Sequence, residues 1–159
     1  MPNWGYSFIE QKYDAERLAK ASGRDLRIKP KHAREICAVI KGMKVENAKT
    51  YLEKVIQLKQ SVPFRRYKKK TAHRKDLKQF KWYAGKYPRK AAARIYEVLS
   101  AAESNAEYKG LDIESCRIIH AATHRGRIIK RYIQRAHGRS TARFKYLSHV
   151  EMVLYEFPS

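Results

Sequence analysis

The side chains best suited to chemistry in this chain are cations, and they are concentrated in a segment without anions. Residues 115–150 contain no Asp or Glu. Nine Lys and Arg residues lie in this segment: Arg117, Arg125, Arg127, Lys130, Arg131, Arg135, Arg139, Arg143 and Lys145. From Arg125 onward they follow neither a helix face nor a strand face, which predicts charge on both sides. Because guanidinium groups hold phosphates in bidentate fashion and stack on bases, the pattern predicts polyanion binding rather than a solvated surface.

A metal site is the sharpest alternative for the same segment. Cys116, His120 and His124 are spaced at four and four, and both residue types are zinc ligands. A fourth ligand is missing, because the segment has neither a Cys-x-x-Cys motif nor a carboxylate. Residues four apart on an extended strand also lie about 13 Å from each other. We therefore predict no metal site.

Catalysis is not predicted either. Glu103 and Glu107 lie four residues apart on one face of a predicted helix and could bind a cation, but a polar helix surface is the better interpretation. The chain has no glycine-rich phosphate loop and no Asp-x-Asp pattern. His149, near the C-terminus, is interpreted as a packed or RNA-facing imidazole rather than a base. The sequence thus predicts no enzyme and no cofactor.

The charge balance limits the possible partners. The 159 residues include 36 Lys and Arg against 15 Asp and Glu, which gives a formal net charge of +21. Such charge favours nucleic acid, acidic protein or anionic membrane. No apolar run reaches the roughly 18 residues of a membrane span, and the N-terminus lacks a signal-peptide core, so no membrane association is expected. Cys37 and Cys116 fall in separate apolar patterns, which predicts two buried free thiols.

Two strands must position the cationic segment. Residues 116–121 and 149–155 are rich in apolar, β-branched and aromatic side chains, with alternation in the second run. Between them, 121–146 has too few regularly placed apolar residues to build a core. The ends therefore belong to a sheet and the middle leaves it as a hairpin, whose arms could reach roughly 60 Å when extended.

Three helices are predicted from apolar residues at spacings of three and four. Pro30 opens the first, and Gly42 ends it. The second follows from Val45, and the third and longest opens at Pro88 and ends at Gly110. Their apolar stripes are Ala33, Ile36, Cys37 and Ile40; Val45, Ala48, Leu52, Val55 and Ile56; and Ala91, Ala92, Ile95, Val98, Leu99, Ala102 and Ala106.

A basic loop at 60–87 separates the second and third helices, and the helical pattern breaks within it. Aromatic residues are interleaved with the cations at 62–70 and 80–87. A structureless connection of this length is uncommon in a compact domain and is usually functional or disordered. Because rings and guanidinium groups match unstacked bases and phosphates, we predict an RNA-clasping loop rather than a mobile, solvated one.

The N-terminal residues give weaker signals. Trp4, Tyr6 and Phe8 alternate, which fits either a short docking strand or an arm that stacks on bases. Residues 14–21 suggest a helical turn or two, and 25–29 suggest a short strand.

The predicted organisation is an N-terminal extension followed by a single domain. The extension covers 1–24 and the domain covers 25–157. Within the domain lie the basic loop at 60–87 and the extended hairpin at 115–157.

The residues from Lys130 onward carry a recognisable pattern. Lys130 is followed after four residues by Arg-Ala-His-Gly-Arg at 135–139, and after nine more by His-Val-Glu-Met-Val-Leu at 149–154. This spacing resembles the signature of the family of universal large-subunit ribosomal protein twenty-two, number seventeen in the eukaryotic naming. Other blocks agree at 62–67, 84–91 and 105–112, and at Gly42, Val45, Ala48 and Leu52. The resemblance covers roughly 20–157, and the insertion at 63–88 is similar to that of archaeal and eukaryotic members.

The resemblance implies an α+β fold, with three helices packed on a small antiparallel sheet and a long, protruding, basic β-hairpin. It also implies a core on the subunit surface near the peptide exit, and a hairpin that threads between ribosomal RNA segments to line the exit tunnel. The match places the tunnel-side tip at 127–139. The residues expected at the tunnel wall are Ile129, Lys130, Arg131 and Tyr132. Gln134 departs from the family pattern, in which a proline is frequent before the Arg-Ala-x-Gly-Arg block, so the bend of the tip stays open.

The resulting prediction is a non-enzymatic structural constituent of the large ribosomal subunit, located in the cytoplasm within the ribosome. Expected partners are large-subunit ribosomal RNA, neighbouring ribosomal proteins near the exit site and the nascent polypeptide, with no homo-oligomer. The predicted rRNA-binding residues are Arg65, Arg66, Lys68, Lys69, Lys70, Arg74, Trp82, Arg89, Lys90, Arg125, Arg127, Lys130, Arg131, Arg135, His137, Gly138, Arg139, Arg143 and Lys145. The alternative is a free-standing architectural nucleic-acid-binding protein, which would need a dimer interface that the sequence does not display.

Overall fold

A computed structural model describes residues 5–8 and 12–157 and shows a mixture of helices and antiparallel strands. The helices in these ranges are α1 (Pro30–Ile40), α2 (Val45–Ile56), α3 (Arg89–Tyr108) and a 3-10 helix (Lys75–Phe80). The strands are β1 (Leu18–Leu26), β2 (Val62–Pro63), β3 (Gly85–Lys86), β4 (Cys116–Ile129), β5 (Tyr132–Gln134), β6 (Ser140–Ala142) and β7 (Lys145–Glu156). The α+β prediction is confirmed.

The main sheet has three antiparallel strands in the order β1-β7-β4. β7 is its centre, and residues 147–154 of β7 are all buried. The expected alternation is therefore hidden there, because both faces of a covered central strand are shielded from water. β4 pairs with β7 from Cys116 opposite Glu156 to Ile129 opposite Lys145, which confirms the predicted hairpin.

The three α-helices bury the stripes that their periodicity predicted, except that Ile56 at the end of α2 is half-buried. Ala33, Ile36, Cys37 and Ile40 of α1 are buried, and the α3 stripe is buried as a whole, with Leu99 fully enclosed. α3 packs against β1 and α2, while α1 packs against β4. Gly42 and Gly110 follow α1 and α3 with φ of +90° and +73°, the left-handed conformation that ends many helices.

The local predictions near the N-terminus are only partly right. The Arg17 and Leu18 N–H groups donate to the Asp14 and Ala15 carbonyls in two successive turns, but the chain is strand rather than helix from Leu18 onward. The strand placed at 25–29 is instead β1, which begins at Leu18 opposite Tyr155 and ends at Leu26 opposite Ser148. Pairing with β7 satisfies a full row of backbone groups, and this outweighs the weak local preference. β1 crosses the proposed boundary between extension and domain, and that division remains a prediction. Trp4 lies outside the described residues.

Pairing of β1 with β7 ends at Ser148. From there towards the hairpin turn, β4 and the first residues of β7 continue as a two-stranded ribbon. β5 and β6 extend it in the same register, to Gln134 opposite Ser140. The end of the ribbon is a turn in which the Arg139 N–H donates to the Ala136 carbonyl at 3.4 Å. The two central residues of this turn, His137 and Gly138, have φ of +58° and +66°, as a type I′ hairpin turn requires. The bend that the sequence left open is thus made here, four residues beyond Tyr132, by backbone of unusual φ rather than by a proline.

Candidate nucleic-acid interface

The outer ribbon is exposed throughout, and its cations lie mainly on one face. Every residue from 130 to 146 is exposed to solvent. The pairs run from Ile129 opposite Lys145 to Gln134 opposite Ser140, so side chains of odd-numbered residues share one face. That face carries five cations: Arg131, Arg135, Arg139, Arg143 and Lys145. Lys130 lies on the other face.

This arrangement refines the prediction that both sides of the ribbon carry charge, because within 130–146 five cations lie on one face and Lys130 lies on the other. The five cations follow one another at intervals of four, four, four and two residues. Even intervals keep side chains on the same side of a strand, and the turn returns the chain in a register that preserves this side. The outer ribbon is therefore a one-sided cationic strip.

An acidic clasp holds the base of the ribbon. Asp25 is the penultimate residue of β1 and has a φ of +47°. Its carboxylate accepts hydrogen bonds from the backbone N–H of Arg127 at 3.3 Å and from Nε of the same residue at 2.8 Å. The backbone N–H of Asp25 donates to Nδ1 of the buried His149 at 3.0 Å. A Cβ at Gly126 would lie 2.9 Å from the Asp25 carboxylate, so any larger residue there would have to displace the clasp. His149 is thus a packed imidazole, one of the two roles that the sequence allowed.

The loop at 60–87 contains regular structure, so the expectation of a structureless connection is wrong. β2 pairs with β3, and Leu77 of the 3-10 helix is fully buried beneath them. The carboxylate of Glu35, which is buried in α1, accepts three consecutive backbone N–H groups, from Arg65 at 3.2 Å and from Arg66 and Tyr67 at 3.1 Å each. Charge-assisted bonds of this kind are strong, and they fix the backbone that carries the loop's cations.

Several loop cations lie over aromatic rings. The Arg65 guanidinium is 5.7 Å from the Trp82 ring centroid, and its Nη2 donates to the Phe80 carbonyl at 2.9 Å. Arg74 lies 5.1 Å from the ring of Tyr87. These distances are within the range of cation–π attraction. The rings therefore hold two of the predicted phosphate-binding side chains in place.

The structure sorts the predicted residues into two groups. The loop group contains Arg65, Arg66, Lys68, Lys69, Lys70, Arg74 and Trp82, followed in the chain by Arg89 and Lys90 in the first turn of α3. All its Lys and Arg are exposed, while Trp82 is half-buried and its Nε1 donates to the Phe64 carbonyl at 3.0 Å. The ribbon group contains Arg125, Arg127, Lys130, Arg131, Arg135, His137, Gly138, Arg139, Arg143 and Lys145.

A third polar cluster gathers around Glu151 on β7. Its carboxylate accepts the Ser7 backbone N–H and hydroxyl, each at 2.9 Å, and lies 3.5 Å from His124 Nε2 and 3.9 Å from His120 Nε2. Burial raises the pKa of Glu151, but the Ser7 hydrogen bonds and the two imidazoles outweigh this effect and lower it below its ordinary value. The cluster fastens Ser7 to the sheet.

The Glu151 cluster is not a catalytic triad, although it contains Ser, His and Glu. In a triad the carboxylate binds one imidazole nitrogen and the serine binds the other. Here Nε2 of His124 faces both Ser7 Oγ, at 3.2 Å, and the Glu151 carboxylate. Among the described residues no group of three potential ligands could hold a metal ion, and Cys37 and Cys116 are buried free thiols, as predicted. No helix in the described part of the chain is long and apolar enough to cross a membrane.

Fold and site define a small, basic α+β protein with a folded cationic loop and a protruding cationic ribbon. The sequence profile of the family described as ribosomal protein L22p/L17e matches residues 21–155. The chain is 48% identical over 153 residues to the large ribosomal subunit protein uL22 of Archaeoglobus fulgidus, which covers 96% of this chain and 97% of the relative. It is 49% identical over 154 residues to the uL22 protein of Methanopyrus kandleri, covering 97% and 96%.

The chain therefore belongs to the ribosomal protein L22p/L17e family, and the resemblance drawn from the sequence is confirmed. The relatives are named as ribosomal proteins rather than as enzymes, in keeping with the non-enzymatic prediction.

Sequence reasoning missed three acids that position the interface: Glu35, Asp25 and Glu151. Each acts on backbone or side chains that are distant in sequence, so no local pattern marked it. One signal was available for Glu35, since it is adjacent to Ile36 and Cys37 of the α1 stripe and a charged residue there requires buried partners.

Proposed function

We propose that this chain, a structural constituent of the large ribosomal subunit, binds large-subunit ribosomal RNA through its loop and ribbon and lines the peptide exit tunnel near the ribbon tip. The observation that best supports RNA binding is the exposed ribbon, which has no acid and carries five cations on one face. The tunnel assignment rests on the family. Neighbouring ribosomal proteins near the exit site and the nascent polypeptide are the further partners of this proposal, the latter at Ile129, Lys130, Arg131 and Tyr132.

The mechanism is electrostatic and steric. Each phosphate neutralised by Lys or Arg releases condensed counterions, so affinity comes from the sum of many contacts. The loop group offers cations on a backbone already fixed by Glu35. The ribbon group projects cations away from the core, where they can join RNA segments that the core does not reach.

Sedimentation and salt dependence test this proposal. Native purification should recover the protein with the large subunit, and a free-standing nucleic-acid-binding protein would instead remain in the soluble fraction. If about ten phosphates are neutralised, the affinity for an rRNA fragment should fall with salt at a log–log slope of about −7 to −9. A slope shallower than about −3 would contradict the assignment of both cationic groups to RNA.

A pair of variants tests the division of labour between loop and ribbon. Deleting residues 132–133 together with 141–142 removes two pairs and shortens the ribbon by about 7 Å without changing its register. We expect this variant to enter the subunit but to alter translational pausing. Replacing Arg65, Arg66 and Lys68–70 with Ser should instead weaken incorporation. The opposite pair of results would mean that the two groups are assigned the wrong way round.

Register makes the paired deletion the informative one. Removing Ile129, Lys130 and Arg131 alone would shift one strand by three residues against the other. An odd shift turns every outer side chain to the opposite face. The phenotype of such a variant would mix the loss of the tip with a reversal of the cationic strip.

A further inference from the structure

The second face of the ribbon has a chemistry of its own. Opposite the cationic strip, the paired even-numbered residues include Ile128 with Tyr146 and Tyr132 with Ala142. Phe144 belongs to the same face, since its ring meets that of Tyr132 edge to face at 5.7 Å. Exposed fractions are 61% for Tyr132, 37% for Phe144 and 42% for Tyr146. We call Tyr132, Phe144 and Tyr146 the ring face.

No element in the described part of the chain covers the ring face in the way that the helices cover the main sheet. β1 pairs with β7 only as far as Ser148, and the ribbon beyond has two strands. Three exposed rings on a two-stranded ribbon do not contribute to the core, because the stripes of α1, α2 and α3 and the inner half of β7 already form it. Clustered exposed rings of this kind are typical of binding surfaces.

Cations accompany these rings, and this determines the class of ligand that fits. The Arg125 guanidinium lies 5.0 Å from the centroid of Tyr146. Lys130, the one cation on this face of the outer ribbon, lies between the positions of Ile128 and Tyr132 along the strand. A purely apolar partner would leave both charges desolvated without compensation. A nucleobase with its phosphate satisfies ring and cation together, since bases stack on aromatic faces while the phosphate meets the cation.

We propose that the ring face binds unstacked nucleobases of a single-stranded RNA segment, while the cationic strip on the opposite face holds sugar-phosphate backbone. This inference rests on the proposed RNA-binding function and adds to it a division between the two faces. It predicts that the ribbon contacts RNA in two chemically different ways, and it assigns the Tyr132 ring to RNA rather than to the nascent polypeptide.

The test compares two double variants of the full chain. In the ring variant, Tyr132→Leu and Phe144→Leu keep apolar bulk but remove the stacking surface. In the matched charge variant, Arg131→Gln and Arg143→Gln remove two cations from paired positions of the opposite face. All four side chains are exposed, so the core should fold in each, and circular dichroism checks this. The probes are a single-stranded RNA 12-mer and a duplex RNA of the same length.

The two variants should differ in what they lose. Stacking contributes about 1–3 kcal/mol per base, so the ring variant should lose about 5- to 150-fold in single-strand affinity per ring. Its duplex affinity and its salt slope should stay unchanged. The charge variant should weaken binding to both probes and reduce the single-strand salt slope by about 1.4, or 0.7 for each lost cation. The single variant Phe144→Tyr keeps a ring at this position and should retain most of the wild-type affinity for the single strand.

Failure of this inference and failure of the proposed function give different results. If the ring variant binds the single strand as tightly as the wild type, the ring face does not stack on bases, although RNA binding stands. A site for an apolar peptide segment would give this same result, because leucine preserves apolar contact. If the wild type binds neither probe at low salt, RNA binding itself is contradicted, and the inference with it.

Discussion

The two cationic regions of this protein carry similar charges on very different supports. In the loop at 60–87, the backbone is held by the buried Glu35 carboxylate, and Asp76 accepts the Ser61 N–H at 2.5 Å. In the outer ribbon at 130–146, every residue is exposed and the described residues offer no acid to any of its cations. Among residues 5–8 and 12–157, the side-chain anchor of the ribbon lies at its base, where Asp25 binds Arg127.

The difference shows how the same residue types can serve two stages of binding. Ordering a residue costs about 1–2 kcal/mol in backbone entropy, and the loop meets this cost within its own fold. A two-stranded hairpin alone is marginally stable in water, so under the proposed function the ribbon would meet this cost when RNA binds. On this proposal the loop is ordered before RNA binds, whereas the ribbon becomes ordered on the RNA that it contacts.

Hydrogen exchange in the free protein should show the largest effect. Amides of Tyr132, Ile133 and Gln134 in the ribbon should exchange at least about 1,000-fold faster than those of Arg66 and Tyr67 in the loop. The reason is that ribbon opening breaks few buried contacts, whereas loop opening must displace Glu35. Mass spectrometry of exchanged peptides measures both. Addition of rRNA should slow exchange in the ribbon, and strong protection there without RNA would contradict the comparison.

Removal of the loop's anchor should have the next largest effect. Glu35→Ala deprives three backbone N–H groups of their acceptor, at about 1 kcal/mol each, so the free energy of unfolding should fall by about 3 kcal/mol. Glu35→Gln keeps one acceptor oxygen in place of two, so its free energy of unfolding should fall by about half as much. Urea denaturation measures both variants.

The same variant addresses the contrast between the regions directly. Exchange at Arg66 and Tyr67 should rise in Glu35→Ala towards the rate of the ribbon, while the ribbon itself stays unchanged. A loop that keeps its protection without Glu35 would show that β2, β3 and Leu77 suffice to order it.

The sequence predicted what local periodicity controls. The stripes of α1, α2 and α3 and the strand character of the hairpin ends depend on side chains a few residues apart, and all are confirmed. The concentration of cations on one face of the ribbon could also have been predicted. In a hairpin, the even spacing from Arg131 to Lys145 places these side chains on the same face.

The remainder depends on contacts between distant residues. Glu35 acts 30 to 32 positions away, and Asp25 meets Arg127 at a separation of 102. The order of the loop was missed for a related reason. β2 and β3 have two residues each, too few for any periodicity, and they form because the buried Leu77 and Phe64 bring them together.

A smaller effect is expected at the base of the ribbon. An alanine methyl at Gly126 would lie 2.9 Å from the Asp25 carboxylate and 3.1 Å from His149 Nε2. Overpacking of this kind costs about 1–3 kcal/mol, and because the base can shift, we expect about 1 kcal/mol in thermal or urea unfolding. Gly5→Ala is the control, since a methyl there meets nothing within 4 Å. Equal stability of the two variants would mean that the clasp is loose.

The smallest effect concerns the ionisation of Asp25. Burial raises the pKa of this carboxyl, but the Arg127 backbone N–H, side-chain hydrogen bond and charge outweigh burial and hold it below its ordinary value. Because the folded-state pKa is lowered, the stabilisation by the clasp is complete above the unfolded value of about 3.9 and is lost as the pH falls through the folded value.

Titration of the Asp25 carboxyl carbon by nuclear magnetic resonance tests this cause. Arg127→Gln should raise the pKa of Asp25 towards that of an unfolded aspartate, because it removes the charge and the Nε donor together. Arg125→Gln removes a cation two residues away that lies over Tyr146, and it should leave the pKa of Asp25 nearly unchanged. If both variants shift Asp25 equally, the carboxylate responds to the general positive field of the ribbon rather than to one partner. The clasp would then depend on the backbone hydrogen bonds of Asp25 with Arg127 and His149 rather than on the Arg127 guanidinium.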